Sequence, residues 1–277
     1  MSTRPVPAAW VAAVDDFLTA LRAGGTPATT AATRRAHLHR VARGLGGSPW
    51  QVDGDRLVAW CGRQDWATET RRGVRGSLLA FYRWAVAAGR TETNPAEALP
   101  TVRPAPPCPR PAGESECARA LLAARKPAHR LMLRLAAEAG LRRAEVAAVH
   151  SRDLVEDLEG WSLWVHGKGG RDRLVPLSAS LAAELRGHVE RGFLFPGAAG
   201  GHLSPRWVGK IVADLLPGET TMHQLRHRFA TRAYGVDRDT FTVQQLLGHA
   251  SPATTRRYVV VPDDRLRATV NAIGSAA

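Results

Sequence analysis

The sequence predicts two domains of different class: an all-α bundle over residues 1–100, and a mainly helical α+β domain with a small antiparallel sheet over residues 113–277. Three observations carry this expectation. The stretch "LPTVRPAPPCPRPAG" places six prolines between Pro100 and Pro111, and a run so poor in backbone donors reads as an extended linker over 101–112. Before it, apolar residues recur only at helical spacing. After it, one segment switches to a period of two, the mark of a strand.

The first domain begins with "PAAWVAAVDDFLTALRAGG" and "TPATTAATRRAHLHRVARGLGG", two helical patterns each stopped by paired glycines. A short segment around "DGDRLVAWCGRQ" follows, and then "TETRRGVRGSLLAFYRWAVAAG", where Val74, Leu78, Phe81, Tyr82 and Ala85 form the stripe of an amphipathic helix. Beyond the linker, "ESECARALLAARKPAHRLMLRLAAEAGLRRAEVAAV" carries successive helical patterns. In "WSLWVHGKGGRDRLVPL", Trp161, Leu163 and Val165 alternate, a glycine turn intervenes, and Leu174, Val175 and Leu177 follow, which predicts a β-hairpin with Lys168 at its tip. From Ser178 onward the pattern is mostly helical again, and there is no internal repeat.

Charge narrows the partner. The 277 residues carry 38 Lys+Arg against 25 Asp+Glu, a net of +13, and a surface that basic selects polyanions, nucleic acid first. The excess is +7 over residues 1–112 and +6 over 113–277, so both domains are expected to face the polyanion. In the first, Arg34, Arg35, Arg40 and Arg43 share a helix free of acids, and Arg71, Arg72 and Arg75 open another; these are the candidate phosphate contacts. Cys61, Cys108 and Cys117 are odd in number and lack metal-ligand spacing, which fits a reducing interior. No apolar run approaches the roughly 20 residues of a membrane span, and the N-terminus meets Asp15 and Asp16 before any signal-peptide core develops. A soluble, cytoplasmic protein without a membrane partner is expected.

Four motifs carry chemistry. In "TTMHQLRHRFATRAYG", a helix starting near Met222 puts His223, Arg226 and His227 on one face. The two histidines have the spacing of a zinc-binding HExxH helix, but Gln224 stands where the general base belongs, so no metal site is expected. A cation between two imidazoles suits a phosphate oxyanion instead. In "EAGLRRAEVAAVH", Gly140 ends one helix and Arg142 begins the next, with Glu145 within reach to orient the guanidinium. "HGKGGRDR" is no P-loop, since Ser162 and Gly169 occupy positions where that motif needs Gly and Ser or Thr; its Lys168 is one of only three lysines, and an ammonium can give up a proton where a guanidinium cannot. Finally, "LLGHASPATTRRYVVV" ends a helix at Gly248, presents His249, restarts at Pro252 and arrives at Tyr258. A phenol is a poor nucleophile at neutral pH unless cations stabilise its phenolate or a base takes its proton.

"GLRRAE", "GKGGRDR", "HQLRH", "LLGH" and the following tyrosine stand in the order and at the intervals of the tyrosine recombinases, the phage integrase and Xer-type site-specific recombinases, and the chain resembles that family along its whole length. The resemblance implies a SAM-like core-binding domain followed by the family's catalytic fold. Arg142 and Arg226 would hold the scissile phosphate, Tyr258 would attack to give a 3′-phosphotyrosyl link, and Lys168 would protonate the departing 5′-oxygen. His223 would serve in acid–base work, His249 would bind the phosphate, and Glu145 and His227 would support the set. The implied chemistry uses no metal or nucleotide cofactor. The implied partners are double-stranded DNA with inverted core-type sites, three further copies in a tetramer on DNA, and a directionality factor, with the protein associated with the nucleoid when bound. Ala144 and Met222 depart from the serine and proline common in the family, and neither removes a reacting group. Little chain precedes the first expected helix, so a minimal form without an arm-binding domain is expected. Integration or excision of a phage or mobile element is the first functional reading, Xer-type chromosome dimer resolution the second. A type IB topoisomerase and a DNA-binding regulator without catalysis are the rivals.

Overall fold

The computed structural model describes residues 4–104, 110–167, 170–188, 191–198 and 200–248. The chain divides into two compact units, Met1–Pro106 and Pro107–Ala277. The first contains α1 (Ala8–Ala23), α2 (Ala28–Leu45), α3 (Gly54–Gly62) and α4 (Thr68–Ala87), with short 3-10 turns at Pro49–Gln51 and Pro95–Ala98. Helix α1 stops because Gly25 takes a left-handed turn, which lets the Thr26 N–H reach back to the Leu21 carbonyl. Helix α3 starts on Asp53, whose carboxylate accepts the Arg56 N–H at 2.7 Å.

The stripe predicted in α4 is the centre of this unit: Val74, Leu78, Phe81, Tyr82 and Ala85 are all buried. Phe81 stacks on Trp10 at 5.8 Å and on Trp50 at 5.9 Å, and meets Phe17 edge-on at 5.5 Å. Such pairs contribute about 0.5–1.5 kcal/mol each beyond the area they bury. The Tyr82 hydroxyl, drawn into the cluster, donates to the Pro49 carbonyl at 3.1 Å, so it is not left unsatisfied in the core.

The second unit holds α5 (Glu114–Ala123), α6 (Pro127–Glu138), α7 (Arg143–Ala148), β1 (Leu154–Asp157), β2 (Gly160–Val165), β3 (Arg173–Pro176), α8 (Ala179–His188), α9 (Pro205–Leu215), α10 (Met222–Asp237) and α11 (Thr240–Leu247). Helix α6 is its axis. Leu131, Met132, Leu133, Leu135, Ala136 and Ala137 are buried around its circumference, and a helix apolar on every side must be covered on every side; α5, α7, α8, α9 and α10 pack against it. Its one buried charge, Arg134, is spent on Glu138 at 2.7 and 2.8 Å, on the Glu184 carboxylate and on Ser180 Oγ at 2.9 Å, which ties α8 to α6.

The expected hairpin is present as β2 and β3, antiparallel with Leu163 opposite Val175 and Val165 opposite Arg173. Leu163, Val165 and Val175 face the core, while Trp164 and Leu174 face out. A third strand, β1, pairs with the outer edge of β2 in the order β1-β2-β3. Its sequence, "LVED", is too short and too acidic to show alternation, which is why no strand was expected there. Among the described residues, no helix is long and apolar enough to cross a membrane.

Candidate active site

The turn between α6 and α7 places the first site residue. Gly140 has φ +65°, and a Cβ there would lie 2.4 Å from Phe229 Cδ1; only glycine permits both the left-handed backbone and the close approach of α10. Two residues later Arg142 caps α7. Its backbone N–H donates to Glu145 Oε2 at 2.8 Å and its Nη1 to Glu145 Oε1 at 2.7 Å. The side chain of Glu145 is 4% exposed and that of Arg142 37%. The carboxylate is thus the buried anchor, and the guanidinium has an open side.

Helix α10 brings the second group. The Gln224 side chain accepts the Thr221 N–H at 2.6 Å, so the residue that excluded a metalloprotease serves to start this helix. One turn on, Arg226 is 1% exposed. It donates to the Gly140 and Leu247 carbonyls and lies 3.8 Å from Glu145 Oε2. His223 and His227 meet edge to face at 4.8 Å on the same side of the helix. Burial of its inner edge, then the charges of Arg226 and Arg142, lower the His223 imidazole below its ordinary value. Burial, then His223 and Arg226, take His227 down to about 4, so both rings are neutral acid–base groups at pH 7.

A third guanidinium, which the sequence reading passed over, completes the cluster. Arg173 Nη1 and Nη2 bind the two oxygens of Glu145 at 3.0 and 2.9 Å, and its Nε donates to the Leu246 carbonyl at 2.8 Å. Burial alone would push the Glu145 carboxyl up; the hydrogen bonds and charge of Arg173, then those of Arg142, outweigh it and hold the group at about 2. The available signal was phase. Arg173 lies on the same strand face as buried Val175, an arginine where an apolar residue belongs.

A second small cluster, not anticipated from sequence, joins the residue just after β2 to one just before β3 and to Asp153. His166 Nδ1 lies 3.0 Å from Asp172 Oδ2 and its Nε2 3.3 Å from Asp153 Oδ1. The hydrogen bond with Asp172, then that with Asp153, raises this imidazole against the cost of desolvation. Helix α11 ends where predicted, at Gly248, with φ +62°. Three predicted site residues, Lys168, His249 and Tyr258, lie outside the described residues.

In the helical unit, the predicted phosphate contacts separate. Arg40 and Arg43 are exposed and Arg34 is half-buried; none has a hydrogen-bond or ion-pair partner among the described residues. Arg35 pairs with Asp15 at 3.1 Å and Arg72 with Glu69 at 2.9 Å, both on the surface. Arg71 donates to the Cys61 and Gln64 carbonyls at 3.0 and 2.8 Å, and Arg75 to the Leu99 carbonyl at 3.1 Å. These last two guanidiniums brace the unit.

The family model described as the phage integrase family matches residues 114–265. A tyrosine recombinase XerC of Rhodospirillum centenum is 37% identical over 222 residues, covering 72% of this chain and 64% of that protein. A tyrosine recombinase XerC of Xanthomonas axonopodis pv. citri is 33% identical over 222 residues, covering 71% of each. The chain spans between 64% and 71% of the length of these curated relatives. A lambda integrase dimer bound to a COC′ core site matches with a TM-score of 0.71 at 20% identity, covering 89% of this chain and 76% of that one. The XerH recombinase bound to difH matches at 0.65 and 21%, covering 87% and 78%. At such identities the likeness speaks for the fold, and the family rests on the sequence matches. The chain belongs to the phage integrase family, the tyrosine recombinases.

Proposed function

We propose that this protein is a site-specific DNA recombinase that cuts and rejoins duplex DNA through a 3′-phosphotyrosyl intermediate. The observation that carries the reading is the pairing of Arg142 and Arg226 about one buried carboxylate, with neutral His223 beside them. Phosphoryl transfer needs little covalent chemistry from the protein and much electrostatic stabilisation of the equatorial oxygens. Arg142, with its open side, binds the scissile phosphate. Arg226 forms the floor of the site, and engaging it directly requires it to give up a carbonyl partner. The Tyr258 oxygen attacks phosphorus as its proton passes to a base, the bond to the 5′-oxygen breaks, and Lys168 protonates that leaving oxygen. His249 binds the phosphate, and His227 supports His223. Reversal with a different 5′-hydroxyl rejoins the strand, so the number of phosphodiester bonds is conserved.

Duplex DNA with inverted core-type sites is the proposed substrate, with Arg34, Arg40 and Arg43 contacting its backbone, and the working form is a tetramer on DNA. A lambda integrase tetramer bound to a Holliday junction shares the fold, with a TM-score of 0.71 at 21% identity. A directionality factor, and residence in the cytoplasm on the nucleoid, belong to the same reading. Integration or excision of a mobile element is its first form. The second, Xer-type chromosome dimer resolution, is favoured by the XerC names of the curated relatives. The test is a nicked duplex whose site has been selected from a random library by binding to the wild-type protein. A covalent adduct that migrates with the protein is expected, and Tyr258→Phe abolishes it. Absence of an adduct from the wild type would refute the enzyme reading in favour of a binding protein. Relaxation of supercoiled DNA without paired sites would favour a topoisomerase.

A further inference from the structure

Arg173 has no role in the chemistry set out above, yet its contacts join β3 to both α7 and α11. It opens β3, opposite Val165, and its side chain is 7% exposed. Its Nη1 and Nη2 take both oxygens of Glu145 on α7, and its Nε takes the Leu246 carbonyl in the last turn of α11. The next carbonyl, that of Leu247, is held by Arg226 from α10. The final two carbonyls of α11 are therefore fixed by cations from two different elements, and a cation is favoured at a helix C-terminus. Packing leaves no slack at this point: a Cβ on Gly248 would lie 2.9 Å from Arg173 Cδ.

We propose that Arg173 is a positioning residue for the cleavage step: it holds Glu145 so that the carboxylate aims the Arg142 guanidinium, and it holds the end of α11 from which the chain runs on to His249 and Tyr258. The proposal rests on the recombinase reading. Its physical basis is the fork of the guanidinium. A planar group with donors in fixed directions can take two carboxylate oxygens and a carbonyl at once, whereas an ammonium of the same charge is a point that must choose. Glu145 itself cannot aim Arg142 alone. Without Arg173 its close donors all come from Arg142 itself, the backbone N–H and Nη1, so nothing outside α7 but Arg226 at 3.8 Å fixes the pair, and an error of about 1 Å in a catalytic cation costs on the order of a hundredfold in rate.

A buried ion pair that only cements the fold would show a different pattern. Arg173→Lys keeps charge and most of the volume, and Arg173→Gln keeps hydrogen bonding without charge. Single-turnover adduct formation on the nicked selected duplex, at saturating protein, is expected to fall about tenfold or more in Arg173→Lys and further in Arg173→Gln, while noncovalent affinity for the intact duplex stays within about twofold of wild type. The pH profile is the readout that cement would not move. Glu145 faces Arg142 on α7, Arg226 on α10 and Arg173 on β3, and lines one small hollow with Asp153 and His166. Loss of the Arg173 fork leaves burial to raise the carboxyl, so the variant rate gains a limb that falls as pH is lowered through the new Glu145 value. The limb disappears in the Glu145→Gln/Arg173→Lys double variant. Wild-type adduct with Arg173→Lys within about threefold of wild type and an unchanged profile would overturn the proposal while leaving the recombinase reading intact. So would loss of the folded domain in both variants, because Arg173 would then act on the fold and not on the step. No adduct from wild type would remove the parent reading.

Discussion

Replacing Glu145 by Gln tests the electrostatics of the site most directly. The carboxylate is buried, takes two donors from Arg142 and two from Arg173, and has Arg226 at 3.8 Å. Lowering its carboxyl from an ordinary value of 4.5 to about 2 corresponds to about 3 kcal/mol of folded-state preference for the charged form. Gln keeps the shape, loses the charge and turns an amide donor toward guanidinium donors, so a loss of about 3 kcal/mol at pH 7 is expected, within the range for breaking a buried pair. For a unit of this size that is a fall of about 6–12 °C in melting temperature. The sign follows from the depressed folded value: the contribution is fully present above the unfolded carboxyl value, near pH 5 and higher, and is lost as pH falls through the folded value near 2. The gap between wild type and Glu145→Gln should therefore be constant from pH 8 to pH 5 and about halved by pH 3. Urea unfolding followed by tryptophan fluorescence measures it, with the transition of the helical unit, untouched by the substitution, as internal reference. A gap under about 1 kcal/mol at pH 7, or one that does not narrow below pH 5, would refute the assignment of Glu145 as the charged hub.

Gly140→Ala meets both a left-handed backbone and Phe229 Cδ1 at 2.4 Å, so a destabilisation of about 2–4 kcal/mol is expected in the same unfolding assay. In an NMR titration of the ring protons, His227 should remain neutral down to about pH 4 while His166 titrates above its ordinary value; reversed order would contradict the site's field. Arg40→Gln and Arg43→Gln should weaken DNA binding and each reduce the salt slope by about one, with no change in melting temperature. Arg71→Gln should instead destabilise the helical unit by about 1–2 kcal/mol, because the Cys61 and Gln64 carbonyls lose their donor.

Helices were readable wherever periodicity and a glycine stop coincided, as in α1, α2 and α4, because those signals are local. The hairpin β2–β3 was readable from alternation, whereas β1 was not, since its four residues carry two acids and hardly bury a side chain. Arg142, Glu145, Arg226 and the two histidines could be singled out because their spacing along a helix already fixes their face. Arg173 was missed because its partners lie 28 and 73 residues away, a distance over which spacing carries no information. The carbonyl contacts of Arg71 and Arg75 were invisible for the same reason: their partners lie on neighbouring segments, and a carbonyl has no sequence signature.

The hydrogen bonds that close the arginine corner join residues 28, 73 and 86 positions apart. A polypeptide is made from one end, so the piece bearing Arg142 and Glu145 leaves the ribosome long before Arg226 and the Leu246 and Leu247 carbonyls exist. The corner cannot assemble on a chain that stops short of Leu247, and contacts of such long separation also close late in folding. The arginine corner is in this way withheld from every copy that stops short of Leu247, by the order of synthesis alone.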